Sequence, residues 1–305
     1  MLLVVGASGF LGANVVLEAL ADGREIVAAS DRVPLTAPGV RTMAVDLTAP
    51  GACSELLDAV RPEWVLNCAA IADVDKCERM PALATRVNEN LPRSLAAACA
   101  QFNARLLHVS TDAVFDGKHG RRTEEDPPGP VNEYAASKLA GERAVMEEMP
   151  DALVVRTNFV GIAPRPEVGL AEWIASRLEQ GEAIKGFTNV IFAPLLANDL
   201  ARILLRMMDR GMDGLFHAAS RDSMSKYDFA VRFARAAGFD ASLVRQARLA
   251  DVKLLAMRPL DTSLSPKRLE GVLGQVMPSV DEAIERLVVL RKSDWGERLR
   301  NLTSR

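Results

Sequence analysis

The feature that most constrains this chain lies at its start, where an apolar run passes directly into a glycine turn. Leu2-Leu3-Val4-Val5 is followed at once by Gly6-Ala7-Ser8-Gly9-Phe10-Leu11-Gly12, and then by a helical pattern. Glycines let a backbone turn sharply and come close to a pyrophosphate, whose charge meets the free N–H groups and positive end of the next helix. The spacing is G-x-x-G-x-x-G, not G-x-G-x-x-G. The strand before it and the helix after it are the context such a motif needs. The plainer reading is a strand–helix turn that holds nothing.

The first half of the chain repeats the same alternation. Strands are predicted at 2–5, 25–29, 41–45, 63–67, 105–109 and 152–156, with helices near 10–22, 52–60, 84–102 and 133–148. Continuous apolar strands separated by helices imply a parallel sheet covered on both faces. Right-handed crossovers make it doubly wound, an α/β fold of the Rossmann type. After about residue 157 the rhythm loosens, with Pro164, Pro166, Gly169, Gly181 and Gly186 breaking the pattern. Helices near 170–180 and 197–210 alternate there with short strands near 190–193 and 214–218. The expected division is a dinucleotide-binding domain over 1–157 and a smaller α/β substrate lobe over 158–305. The boundary is soft, with segments crossing between the two.

Composition excludes several classes of function. The chain has 305 residues, 49% hydrophobic and 25% charged, with a net charge of −3. Such a balance suits a large core and supplies no basic field for nucleic acid or an anionic membrane. No apolar run approaches the ~20 residues that span a bilayer. Leu2–Val5 has no basic segment before it, so it reads as a buried strand and not as a leader. Cys53, Cys68, Cys77 and Cys99 form no C-x-x-C pair, which fits structural thiols in a reducing cytoplasm better than disulfides or a metal. His108 and His217 fall inside strand-like runs and read as packed side chains. No metal site is expected.

Residues at other strand ends extend the site. The second strand ends at Ser30-Asp31-Arg32. Asp31 there would accept from an adenosine ribose and favour NAD, whereas Arg32 would pair with a 2′-phosphate and favour NADP. Both remain open. Asp46 and Leu47 end the third strand, where an adenine would lie. Asn67-Cys68-Ala69-Ala70 ends the fourth, and the small Cys68, Ala69 and Ala70 suit close passage of a cofactor.

The sharpest chemical signal is Tyr134-Ala135-Ala136-Ser137-Lys138. Positions i and i+4 share a helix face, so phenol and ammonium converge. Reducing a ketone needs a hydride on carbon and a proton on oxygen, and a phenol is a suitable acid. Its reference pKa is about 10, so matching neutral pH requires a fall of ~3 units, or ~4 kcal/mol. A lysine charge in a partly desolvated cleft is expected to supply much of that. Ser110-Thr111 ends the fifth strand at the carboxyl edge of the sheet, where ligands bind. A hydroxyl there can support a carbonyl oxygen as charge develops.

These residues together resemble the extended short-chain dehydrogenases/reductases, and more narrowly the dTDP-4-dehydrorhamnose reductase family, over nearly the whole chain. Gly6–Gly12 is similar to its nucleotide loop, and Asn67–Ala70 with Val74-Asp75-Lys76-Cys77-Glu78 to its "N-A-A…V-D-x-x-E". Ser110–Gly117 resembles "S-T-D-Y-V-F-D-G", and Tyr134–Glu142 resembles "Y-x-x-[ST]-K-L-x-G-E". Arg258-Pro259, Ser263-Leu264 and Lys267-Arg268-Leu269 resemble "R-P-x-N-S-x-L…K-L".

The resemblance implies an NAD(P)H-dependent reductase of a keto group on a nucleotide-linked sugar. It makes Thr111, Tyr134 and Lys138 the catalytic set. Gly6, Ser8, Gly9, Phe10, Leu11 and Gly12 would form the phosphate loop, with Asp46 and Leu47 at the adenine and Asn88 at the nicotinamide side. Asp112, Asn158 and Phe159 would approach the substrate, with Arg258 facing its anionic part. It also implies a homodimer through helices 84–102 and 133–148. The Ala96–Ala98 face suits close packing there or inside one subunit.

Departures cluster where a sugar would sit. Ala113 replaces the family's Tyr, Asn158-Phe159-Val160-Gly161 replaces "S-W-V-Y", and Phe192-Ala193-Pro194-Leu195 replaces a "G-x-P-T"-like segment. Dehydratases of this type carry Glu after the Thr-Asp pair, and here Ala113 follows. Two alternatives stay in view: a sugar-nucleotide 4-epimerase, and a non-catalytic NADP-binding regulator like that of methionine adenosyltransferase.

Overall fold

Side chains that alternate between two buried faces build the fold outward from one sheet. The computed structural model describes residues 1–31, 35–165 and 169–303. The first half supplies strands β1 (Leu2–Val5), β2 (Ile26–Ser30), β3 (Arg41–Ala44), β4 (Trp64–Asn67), β5 (Arg105–Thr111) and β6 (Leu153–Thr157). Between them run helices α1 (Phe10–Ala21), α2 (Ala52–Val60), α3 (Val74–Arg79), α4 (Pro81–Thr85), α5 (Leu91–Phe102) and α6 (Glu133–Glu148). Odd-numbered Leu3, Val5, Val27, Ala29 and Val65 pack with Leu56 of α2 and Leu95 of α5. Even-numbered Leu2, Val4, Ile26, Ala28 and Leu66 join the core on the other face, with Val15 and Val16 of α1. A two-residue period with both faces apolar is what a doubly covered parallel sheet requires.

The second half continues through the short β7 (Phe159–Val160), α7 (Leu170–Glu179), β8 (Ile184–Phe187), β9 (Ile191–Phe192) and β10 (Leu195–Leu196). Then come α8 (Ala197–Asp209), β11 (Gly214–Ala218), β12 (Met224–Ser225), α9 (Lys226–Ala237), β13 (Val244–Ala247), α10 (Lys267–Leu273), α11 (Val280–Arg291) and α12 (Trp295–Thr303). The main sheet runs β11-β6-β5-β4-β1-β2-β3, with every pairing parallel. Its direction of winding reverses beside β1, whose neighbours are β2 and β4. That switch point is where α/β sheets bind ligands, outside the carboxyl ends of the strands.

Residue 157 does not divide the sheet. β11 lies beyond it, yet pairs with β6 from Gly214 opposite Leu153 to Ala218 opposite Thr157. It covers an edge of N–H and C=O groups that β6 would otherwise expose. Helix α8 crosses back too and packs on α1. The segment predicted as one helix over 84–102 is also divided: α4, a π-helical turn at Arg86–Asn90, then α5. Pro92 lacks an N–H and its ring would strike the carbonyl of Asn88, so the chain widens by a residue and Leu91 donates to Arg86. Ala96 and Ala98 of α5 are buried in this subunit's own core. Among the described residues no helix is long and apolar enough to cross a membrane.

Candidate active site

The glycine turn is shaped by what a side chain would strike. Gly6 has φ +75°, and a Cβ there would sit 2.6 Å from the Ala69 amide nitrogen. A Cβ on Gly12 would lie 2.9 Å from the Ala7 Cα. The turn therefore presses against the backbone of Cys68 and Ala69 at the end of β4. Gly9 caps α1 without a side-chain hydrogen bond, so no capping side chain occupies the first-turn N–H groups. Ser8 and Phe10 are half-buried beside this helix start, and Leu11 is buried. The cradle fits a dinucleotide pyrophosphate.

The outer strand ends are less uniform. Asp31 is exposed at the tip of β2, and Arg32 lies outside the described residues. Asp46 accepts from the Thr48 amide at 3.0 Å and from its hydroxyl at 2.6 Å, forming a local turn before α2. The Leu47 side chain points into the core under α2, leaving only its backbone to meet an adenine. Asn88 is buried as well. Its Oδ1 accepts from Ile71 N, and its Nδ2 donates to Ile71 O and Ser137 Oγ. Both amide hydrogens are thus spent inside the protein, so Asn88 braces the loop after β4 against α6 and has no hydrogen left for a nicotinamide.

Thr111 and Tyr134 face one cavity, and Lys138 lies one turn below Tyr134 on α6. Asn132 caps α6 by accepting from Ala135 N at 2.9 Å, which sets Tyr134 in the first turn. The Tyr134 phenol and Thr111, at the end of β5, line the same cavity. One turn later Lys138 is buried, and its Nζ donates to Val109 O at 2.8 Å. Behind it stands His108, with Nε2 3.5 Å from Nζ. Ala69 N donates to Asn67 Oδ1 at 3.0 Å, which turns Asn67 Nδ2 toward His108 Nδ1 at 3.1 Å. That pattern leaves the ring proton on Nε2, facing the lysine. Burial holds His108 neutral, well below the usual histidine range, and the Lys138 charge adds to this.

The electrostatics of the pair differ from the sequence expectation. Burial pushes the Tyr134 phenol up to about 12, the Thr111 hydroxyl opposes this, and Asp112 adds to it. Burial likewise pulls Lys138 down to about 8, against the attraction of Glu142. Desolvation outweighs the attraction expected between ammonium and phenolate, so the phenol stays protonated at neutral pH.

Beneath this layer lies a buried ion pair. Glu142 accepts from Arg156 Nη2 at 2.7 Å and Nε at 3.0 Å, and from the Ser110 hydroxyl. It locks β6 to α6 and β5, the two elements that carry Tyr134, Lys138 and Thr111.

A cavity of about 520 Å³ opens above Ser110, Thr111 and Tyr134. Phe10 and Phe159 form one wall, edge to face with centroids 5.1 Å apart. Asp112 faces the cavity, accepting from Asn158 Nδ2 at 2.7 Å and Thr111 Oγ1 at 3.2 Å. Burial raises the Asp112 pKa, opposed by hydrogen bonds from Thr262, Asn158 and Thr111 and by the Lys226 charge. Arg258 also lines the space, held by Asp75 at 3.0 Å and the Ala256 carbonyl at 2.9 Å. Sequence reasoning missed Lys226, a cavity residue from the second lobe that no motif marks. It read His108 only as a packed side chain. Among the described residues no group of His, Cys, Asp and Glu could hold a metal, and all four cysteines are free thiols.

The model of the RmlD substrate binding domain family matches residues 1–292. The chain belongs to that family. Among its relatives is the probable low-salt glycan biosynthesis reductase Agl14 of Haloferax volcanii, 37% identical over 290 residues, covering 93% of this chain and 96% of the relative. The dTDP-4-dehydrorhamnose reductase of Mycobacterium tuberculosis is 34% identical over 276 residues, covering 88% and 85%. A solved dTDP-4-dehydrorhamnose reductase of Bacillus anthracis, in complex with NADP, superposes with a TM-score of 0.84 at 25% identity, covering 94% of this chain and 98% of that one. The RmlD-family scaffold accounts for the seven-stranded parallel sheet found here.

Proposed function

We propose that this chain is an NAD(P)H-dependent reductase of a keto group on a nucleotide-linked sugar, of the dTDP-4-dehydrorhamnose reductase kind. The observation that carries the reading is that Tyr134 and Thr111 line one cavity at the carboxyl edge of β5, with Lys138 one helical turn below on the Val109 carbonyl. Names of relatives in the RmlD family support it.

The Gly6–Gly12 turn would hold the pyrophosphate of a reduced nicotinamide dinucleotide, which would supply the hydride for the carbonyl carbon. Tyr134, protonated at neutral pH, gives its proton to the oxygen as charge develops, and the product is an alcohol. The Thr111 hydroxyl steadies that oxygen. Lys138 supports the developing phenolate and is anchored by the Val109 carbonyl. Asp112, Asn158 and Phe159 line the sugar, and Arg258 faces the anionic part. The cofactor is NADP or NAD, and the choice rests on Asp31 and Arg32. The protein works in the cytoplasm, where its cysteines stay reduced, and as a homodimer through α5 and α6.

The test is loss of NADPH absorbance with a panel of 4-keto sugar nucleotides. Steady loss abolished by Tyr134→Phe supports the reading. Turnover with no net cofactor consumption would identify an epimerase. Absence of turnover, with tight capture of another protein, would identify a regulator.

A further inference from the structure

We propose that Lys226 is an anion clamp that holds the diphosphate of the substrate at the junction of two cavities, with the sugar beside Tyr134 and the base beside Trp173. The proposal rests on the nucleotide-sugar reading for the identity of the ligand.

A second cavity of about 480 Å³ adjoins the first. The two share Leu170, Phe187 and Lys226 in their linings. The second is walled by α7, β8 and the start of α9, with Trp173, Ile174, Ile184 and Ala230 as its apolar surfaces. Gly186 lets β8 lie against α9: a Cβ there would be 2.9 Å from the Tyr227 Cα. At the rim Arg177 is already committed to Glu182 at 2.6 Å. A largely apolar cavity beside an indole suits an aromatic base.

Lys226 is the first residue of α9, fixed by its amide on Val190 O at 2.9 Å and by the Ser225 cap. Its ammonium is half-buried, and among the described residues no hydrogen bond or salt bridge reaches it. Its contacts are the Phe192 ring, 5.9 Å away, and the longer-range charges of Asp112 and Arg258. A cation taken partly out of water without hydrogen-bond partners is unfavourable until an anion supplies them. Arg258, the other cation of the first cavity, is already held by Asp75 and Ala256. Lys226 is the cation that lines both cavities, and it stands where a ligand filling both must pass. The competing account is that Lys226 merely balances the Asp112 charge.

The experiment titrates dTDP and thymidine into the NADPH-saturated protein, read by tryptophan fluorescence. Trp64 and Trp295 are 7% and 8% exposed and Trp173 is 41%, so Trp173 is the reporter. The expected result is a Trp173 signal lost in Trp173→Phe. dTDP should bind more tightly than thymidine, and Lys226→Met should weaken dTDP about 10–100-fold, the range for a charged hydrogen bond. Lys226→Arg should restore most of the difference, and NADPH affinity should stay unchanged as the check on folding. Equal binding of dTDP and thymidine by the natural protein overturns the clamp without any variant. So does unchanged dTDP affinity in Lys226→Met, the result expected if Lys226 serves only Asp112. A signal that survives Trp173→Phe overturns the location of the base. If dTDP binds through Lys226 but no keto sugar oxidises NADPH, the clamp stands and the reductase reading falls.

Discussion

A tyrosine hydroxyl buried beside an acid and a lysine buried beside a histidine settle their protonation states by what surrounds them. Tyr134 stays a phenol and is ready to give a proton. Replacing it with Phe removes the acid and leaves the helix and the Thr111 side chain in place. The expected outcome is a rate lower by ~10²–10⁴, with NADPH affinity retained, as steady-state kinetics and cofactor titration would show. A full rate in that variant would take Tyr134 out of the mechanism. Lys138 carries the pH dependence. Its pKa is pulled down to about 8 by burial, so its charge is present below that pH and lost above it. kcat/KM should therefore fall as pH rises through about 8, and a profile flat to pH 10 would contradict the role given to the lysine. The same shift makes the native state release its proton before the unfolded chain does. The Lys138 contribution to stability therefore rises between about 8 and 10.5, opposite in direction to the activity.

Helix α6 serves three surroundings with one helical period. Tyr134 and Lys138 face the cavity and β5. Ser137 and Gly141 face the π-helical turn, where a Cβ on Gly141 would collide with the Asn88 carbonyl. Glu142 reaches under the sheet edge to Arg156 and Ser110. The ion pair is 3% and 5% exposed on its two side chains. Breaking such a pair strands a buried charge, which costs about 3–5 kcal/mol. Glu142→Gln should lower the urea midpoint accordingly, with loss of activity following loss of fold. A variant with an unchanged midpoint would mean that the pair is balanced by groups around it. The π-helical turn belongs to the same account: it lets Pro92 sit in a helix while α6 stays close.

At the scale of the molecule, the second half of the chain finishes what the first begins. β11 closes the open edge of β6, and Trp295 Nε1 donates to Asn14 Oδ1 at 2.9 Å, tying α12 to the helix of the glycine turn. His217 sits inside β11, fully buried, against the Phe115 ring. Burial, aided by the Arg156 charge, holds its pKa down at about 4. The unfolded chain takes up that proton near 6.5 and the native state does not, so stability is full above 6.5 and is lost as pH falls toward 4. The share from His217 is roughly 3 kcal/mol. His108 acts in the same direction, so His217→Gln should flatten the acid side of the stability curve only in part. Chemical denaturation at a series of pH values would show it, and an unaltered curve would exclude His217 as the source.

Local rules carried much of this protein. Strand alternation, the glycine turn, the cap before α6 and the i, i+4 spacing of Tyr134 and Lys138 all depend on neighbours in sequence, and apart from the helix predicted over 84–102 the predicted elements lie within a residue or two of where those patterns place them. The protonation of Tyr134 could not be read that way, because it depends on how much water the fold removes. Nor could the commitment of Asn88 to Ile71 and Ser137, the passage of β11 into the first sheet, or the arrival of Lys226 above Tyr134. Each brings together groups far apart in the chain, and only packing decides which of them end up sharing a cavity, a strand edge or a charge.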